Sequence, residues 1–275
     1  MKNLLLAVAW LGAGLLPLPV SAPLARPAGK GGKHQSVPEY RVKLGNSPEH
    51  QVQMLLDRSE VNVEAHQGEE VIVQATERFA VPERARGLKP AYYPATDNTG
   101  LGLSVVKEGN VLKIRKTSRQ QGRYTVRIPR KVSFAYEQLN WLEGTLQVQG
   151  MSGPLEIKSN NVRVDLRNVT GPVKASSTSG SVHVLYATPA PGGTHSIASI
   201  SGEVDVTLPA DAKAQLRLES ISGEVYSNFE LAGPGAKGLK RISAGSVVEG
   251  NINGGGVEIS LTSTSSNIYL RKQSH

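Results

Sequence analysis

The sequence predicts an all-β fold: a parallel β-solenoid built from C-terminal repeats, with an N-terminal β cap. Three observations carry this. Beyond the first two dozen residues, helix signals are nearly absent. Short stretches of apolar–polar alternation take their place, the mark of half-buried strands. From Trp141 onward one phrase returns at a fixed interval, which is the signature of a repeat architecture. A β-sandwich would also alternate, but it does not explain the interval.

The N-terminus has the three parts of an export signal. Lys2 is the charged region, Leu4 to Leu16 the apolar region, and Val20-Ser21-Ala22 a small-x-small cleavage site after Pro17 and Pro19. The apolar run is too short to span a bilayer. Residues 1–22 are expected to be a signal peptide. Residues 23–36, rich in Pro, Gly and Lys, are expected to be a flexible tether.

Residues 37–140 read as an N-terminal β region. Val61 to Ala65, Val71 to Ala75, Leu101 to Val105, Val111 to Ile114 and Tyr124 to Ile128 alternate as strands. Gln67-Gly68 and Glu108-Gly109-Asn110 are turn chemistry, and short strands with tight turns suggest antiparallel pairing. Alternation stops over residues 79–100. This loop is longer than an ordinary connection and carries Tyr92, Tyr93, Asp97 and Asn98. Exposed tyrosines on a long loop are candidate contacts for a partner. The same tyrosines could instead fold back over an open end of the core.

Residues 141–275 read as solenoid repeats. The phrase is apolar, small hydroxyl, Gly, any residue, then apolar–polar–apolar. It occurs at Met151 to Ile157, Val169 to Ala175, Thr178 to Val184, Ile200 to Val206 and Ile221 to Ser227. A degraded copy lies at Ala244 to Val247, and Thr264 to Leu270 has Ser266 in the glycine slot. The glycines are about nine residues apart at first and later about 21 or 22, so the early spacing looks like half a coil. Strict parity would put Ile200, Gly202, Val204 and Val206 in the core, with Ser199, Ser201, Glu203 and Asp205 in solvent. A glycine on the inner side would let the chain bend or approach a neighbouring coil closely. Repeated Ser and Thr beside it could form hydroxyl ladders.

With no cysteine, there can be no disulfide, thiol nucleophile or Cys-ligated zinc. The net charge is +8, concentrated between Lys107 and Lys131. Arg115, Lys116, Arg119, Arg123 and Arg127 lie in that segment as candidate contacts for an anionic partner, such as a lipid head group or acidic glycan. A solvated strand face that discourages edge pairing is the other reading. Export argues against nucleic acid, and the mature chain has no transmembrane segment.

The six histidines show no metal-ligand spacing, and neither a nucleophile elbow nor a phosphate loop is present, so neither a cofactor nor a metal is expected. His183 and His195 are expected at the surface. Glu203 and Glu224 occupy equivalent slots, which would stack them about 5 Å apart in successive coils and offer a glycan-active enzyme its carboxylates.

The repeated Ser-Gly-x-Val phrases and the ending Gly254-Gly-Gly-Val-Glu-Ile-Ser-Leu261 with Asn267-Ile-Tyr-Leu270 resemble the bacterial "putative adhesin" β-solenoid family, a domain of unknown function. Ser59 to Val63, Glu70 to Val73 and Val126 to Pro129 fit it as well. Asp97 to Leu101 is similar to Bacteroidetes versions. The resemblance implies an exported repetitive β domain at the cell envelope, periplasmic or on the surface, and brings no catalytic residues. Three functions follow as expectations. The first is a non-catalytic adhesin-like binding or scaffold protein whose partner is an envelope protein, glycan or anionic lipid. The second is an accessory in envelope-stress signalling that binds a membrane regulator or anionic lipid. The third is a glycan-active enzyme.

Overall fold

The computed structural model describes residues 37–77, 79, 82–88, 91, 95–138, 140–230 and 247–274. The expected signal peptide and tether lie outside these residues, as do Tyr92, Tyr93 and most of the degraded repeat. Among the described residues no helix is long and apolar enough to cross a membrane.

Among the described residues, twenty strands form two open ten-stranded sheets, mostly parallel. Sheet I runs, in spatial order, β1 (Glu39–Lys43), β4 (Glu70–Ala75), β7 (Gly122–Pro129), β3 (Ser59–His66), β9 (Gly144–Gln149), β11 (Val162–Val169), β13 (Val182–Tyr186), β15 (Val204–Leu208), β20 (Ile268–Lys272) and β17 (Val225–Ser227). Sheet II runs β18 (Val247–Ile252), β16 (Ala214–Ser220), β19 (Val257–Ser263), β14 (His195–Ser199), β12 (Val173–Ser177), β10 (Leu155–Ser159), β8 (Ser133–Gln138), β2 (Gln51–Leu56), β6 (Val111–Lys116) and β5 (Leu103–Glu108). The chain passes from a strand of sheet II to one of sheet I across a near corner, then returns across a far corner. Each such passage is one coil.

The core lies between the sheets. Val, Ile and Leu from alternate positions, among them Val182, Val184, Ile197, Val204 and Val206, are almost wholly buried. A single coil cannot cover its own apolar face, so the stack must fold together.

Parallel coils begin further upstream than the repeat phrase. β2 and β3 pair parallel with β6 and β7 on one side and with β8 and β9 on the other. Among the described residues, antiparallel pairing in this half is limited to β1 with β4, β4 with β7, and β5 with β6. Of the turns that suggested it, Glu108-Gly109-Asn110 joins the antiparallel pair β5–β6, whereas Gln67-Gly68 carries the chain from β3 past β7 to β4.

Spatial order departs from chain order at both ends. β2–β3 sit inside β6–β7, and β19–β20 are intercalated between β14–β15 and β16–β17. Glu203 and Glu224 therefore do not stack on each other. Asn267 lies between them: its carbonyl accepts from Val204 N–H at 3.2 Å, and its side-chain oxygen accepts from Glu224 N–H at 2.9 Å. This removes the paired carboxylates expected from the sequence.

The corners explain the repeat phrase. A Cβ on Gly202 would lie 2.2 Å from the Gly180 carbonyl oxygen, and one on Gly180 would lie 1.9 Å from that of Val162. These near-corner glycines are needed for close approach of backbones. Gly153 and Gly171 play the same part at far corners, where a Cβ on Gly171 would meet Gly153 O at 2.2 Å. The nine-residue spacing is thus half a coil, one corner to the next.

Strict parity fails at the near corner. Ser199 is buried and Ile200 is half exposed, as is Ile221. The reason is a hydrogen bond: Ser199 Oγ accepts from Gly202 N–H at 2.9 Å and donates to Gly180 O at 3.2 Å. Turning inward lets the hydroxyl satisfy buried backbone groups that would otherwise lack partners. Ser177, Ser199, Ser263 and Ser220 stand side by side in register, and each accepts from the backbone N–H three residues on. The hydroxyl ladder exists, but on the inner side.

Candidate functional site

Parallel strands in register place equivalent outward side chains in rows about 4.8 Å apart. On sheet I one row crosses five strands: Asp165, His183, Asp205, Tyr269 and Tyr226. Each follows the apolar residue that points inward, Val164, Val182, Val204, Ile268 and Val225, so alternation turns it to the outer face.

The row is held by its neighbours. Arg163 Nε donates to Asp165 Oδ2 at 3.1 Å. His183 Nδ1 lies 3.1 Å from Asp165 Oδ1 and 3.4 Å from Arg163 Nη2. Arg271 Nε donates to both Asp205 oxygens, at 2.9 and 3.0 Å, while its guanidinium lies 5.1 Å above the Tyr269 ring. The Tyr269 and Tyr226 rings stack with centroids 5.4 Å apart and planes 11° from parallel. Asn267 Nδ2 donates to Tyr269 Oη at 3.1 Å. Two arginines thus offset two aspartates. Asp165 is itself buried beneath its partners, so the row presents an imidazole, the Asp205 carboxylate, guanidinium groups and phenols at one strand spacing. Such a surface can exchange hydrogen bonds with a polar partner across several coils, with its side chains already held in place.

The sequence-predicted residues are not gathered into one site. Asp97 accepts from the N–H groups of Thr99, Gly100 and Gly102 at 2.9–3.0 Å, which shapes its own loop. Asn98 bonds Val105 through both its amide groups, at 2.8 and 2.9 Å, and so occupies backbone groups on the outer edge of β5. Asn98 thereby covers part of a sheet edge, and Asp97 holds the loop that carries it. Arg123 and Arg127 stand on the outer face of sheet I, paired with Glu60 and Glu64 of β3. Arg115 is exposed on sheet II, and Arg119 is exposed at the near corner between β6 and β7.

Lys116 is buried. Its ammonium donates to the carbonyls of Asp57 and Arg58 at 2.8 and 3.0 Å and lies 3.7 Å from Asp57 Oδ1. Burial pulls its pKa down to about 8, against the opposing pull of Asp57. The basic segment is therefore divided between two sheets and the interior. One strand turns alternate residues to opposite sides, and the near corner moves the chain from sheet II to sheet I.

His195 is also buried, contrary to the surface position expected of it. It opens β14 on the inward side. Its Nε2 donates to Ala190 O at 3.3 Å, which leaves Nδ1 to accept from Tyr186 Oη at 2.8 Å. Burial lowers its pKa and keeps it neutral. His183 is outward as expected, though partly covered by its contact with Asp165.

Sequence reasoning missed Tyr269 and Tyr226. The signal was present: both fill the slot of His183 and Asp205 in their own copies of the phrase. What hid the row was the intercalation that brings Tyr269 next to Asp205.

Among known proteins, the model of the Toastrack DUF4097 family matches residues 130–271. No curated protein matches the chain. Of solved structures, a "putative cell adhesion protein" from Clostridium sporogenes is similar at 10% identity and a TM-score of 0.48, over 86% of this chain and 99% of its own. A "putative lipid binding protein" from Parabacteroides distasonis is similar at 12% identity and a TM-score of 0.24, over 86% of this chain and 96% of its own. Likenesses this weak transfer no property to this chain.

Proposed function

The chain belongs to the Toastrack DUF4097 family, a domain of unknown function, and from that premise we propose that it is a non-catalytic, exported envelope protein that uses the outer face of its solenoid for binding or as a scaffold. The observation that carries this reading is the row from Asp165 to Tyr226 on sheet I. Its side chains are outward, in register and held by ion pairs and ring stacking rather than by the core. A neutral mosaic of this kind suits a glycan or a polar protein surface of the envelope better than an anionic bilayer. The division of the basic segment points the same way.

The test uses the full chain expressed in a bacterial host and an immobilised envelope fraction from that host, with and without its glycans removed. Combined His183→Ala, Asp205→Ala and Tyr269→Ala should reduce retention by at least tenfold while the thermal midpoint moves by only a few degrees, because these half-exposed side chains stand on the outer face, and losing surface contacts of this kind costs about 1 kcal/mol or less each. Equal retention of the triple variant, or a chain that stays in the cytoplasm, would sink the proposal.

A further inference from the structure

The intercalated coil leaves a notch in the far corner. Most coils of the C-terminal half are entered through a far-corner segment that crosses from sheet I to sheet II along the side of the stack: residues 187–194 lead into β14, and 209–213 into β16. β19 lies between these two strands and has no such segment. The chain enters it from β18 through Asn253-Gly254-Gly255-Gly256, a turn whose first three residues have φ of 50, 89 and 82°. Asn253 Nδ2 ties the turn to the carbonyls of Ala210 and Ala212, at 3.1 and 2.7 Å.

A cleft of about 600 Å³ results, within the size range of ligand sites. Gly255 and Gly256 line it, and Gly256 lies so close to the entry of β16 that a Cβ there would meet Lys213 O at 2.4 Å. Its walls include Pro189, Pro191 and Pro209, whose rings fix the backbone and limit collapse. The walls belong to strands two spacings apart, about 10 Å, room for one extended chain between them. Asp211, Glu258 and Lys213 stand at the rim. None of the three takes part in an ion pair among the described residues, so the rim carries a net negative charge in a protein of net charge +8.

We infer that this notch is a docking site for a short extended peptide segment of a partner protein, with small or prolyl residues between the proline walls and a Lys or Arg at the Asp211–Glu258 rim. The vacancy has the form of a missing corner. The corners beside it, Thr188-Pro-Ala-Pro-Gly-Gly-Thr194 and Pro209-Ala-Asp-Ala-Lys213, show what kind of chain this side of the stack accommodates. The rim charge selects a cation. The site is separate from the outer-face row, so either can fail without the other.

The test is selection of phage-displayed random heptapeptides on the full chain, with counter-selection on Thr194→Trp, whose ring would fill the cleft from an exposed wall position. Peptides held by the unmodified chain alone should be enriched in Lys or Arg beside Pro, Ala or Gly. A synthetic copy of one such peptide should bind at least tenfold more weakly to Asp211→Asn/Glu258→Gln, and its affinity should fall with salt. The His183→Ala/Asp205→Ala/Tyr269→Ala chain should bind it unchanged. Selection of no peptide that distinguishes the chain from Thr194→Trp would overturn the site. Selected peptides without basic residues, or insensitive to the double variant, would overturn the assignment of its partner.

Discussion

Ending the chain at Gly255 should unfold more than the residues it removes. If coils stacked in chain order, loss of β19 and β20 would peel off a terminal coil and leave the rest intact. In the observed order these strands lie between β14–β15 and β16–β17. Their removal deletes Ile259, Leu261, Ile268 and Leu270 from the core. At about 1.5–3 kcal/mol for each buried side chain, that is roughly 6–12 kcal/mol of burial, as large as the whole stability of an ordinary domain. It also strips the inner neighbours from Leu216, Leu218 and Val225. β16 would keep only β18, and a two-stranded pair is marginal in water. Hydrogen exchange read by mass spectrometry should therefore show protection lost from about Pro209 onward, while β8 to β13 remain slow. The reasoning would be refuted by retained protection in β16, which would mean that β16–β17 had closed directly onto β14–β15 and that the intercalated coil is dispensable for their packing.

Two further outcomes follow from the interior. Gly202→Ala places a methyl 2.2 Å from Gly180 O, where neither backbone can retreat without breaking the ladder, so it should cost about 1–3 kcal/mol or more in urea denaturation, against about 0.5 kcal/mol or less for exposed Ser201→Ala. His195 is held neutral with its pKa lowered from 6.5, so the unfolded chain takes up its proton first: the contribution is complete above pH 6.5 and is lost as pH falls through the lowered value. Urea midpoints at pH 7.5 and pH 5 should differ less for His195→Gln, which can still accept from Tyr186 and donate to Ala190 O, than for the unmodified chain; an equal difference in both would assign the acid sensitivity elsewhere.

The strands and their inward sides were legible because alternation is a local property. Val204 and Val206 face the core since their neighbours are polar, whatever stacks on them. The corner glycines were legible too, because a residue without a Cβ at a fixed interval implies repeated close approach. At the corners the pattern misled. Ser199 and Ile200 exchange the sides that hydropathy assigns them, because an inward hydroxyl can satisfy Gly202 N–H and Gly180 O together, and no apolar side chain can do that. His195 misled for the same reason: Tyr186 and Ala190 O satisfy both its nitrogens inside the core.

The order of the coils lies beyond any local reading, and the repeat itself is the cause. Each copy offers the same apolar ladder and the same corner, so each can pack on any other, and the phrase holds no information about which neighbour it takes. The information lies in the connections. β18 runs antiparallel along the outer side of β16, and its glycine turn then delivers β19 to the inner side of the same strand. Had β18 been absent, β19 and β20 could have added a last coil at the end of the stack, with Glu203 against Glu224. With β18 in place, the outer edge of β16 is occupied, and the slot beside β14 receives the final coil. The same step brings Tyr269 next to Asp205 and leaves β19 without a corner. The outer-face row and the far-corner notch are therefore two consequences of one connection.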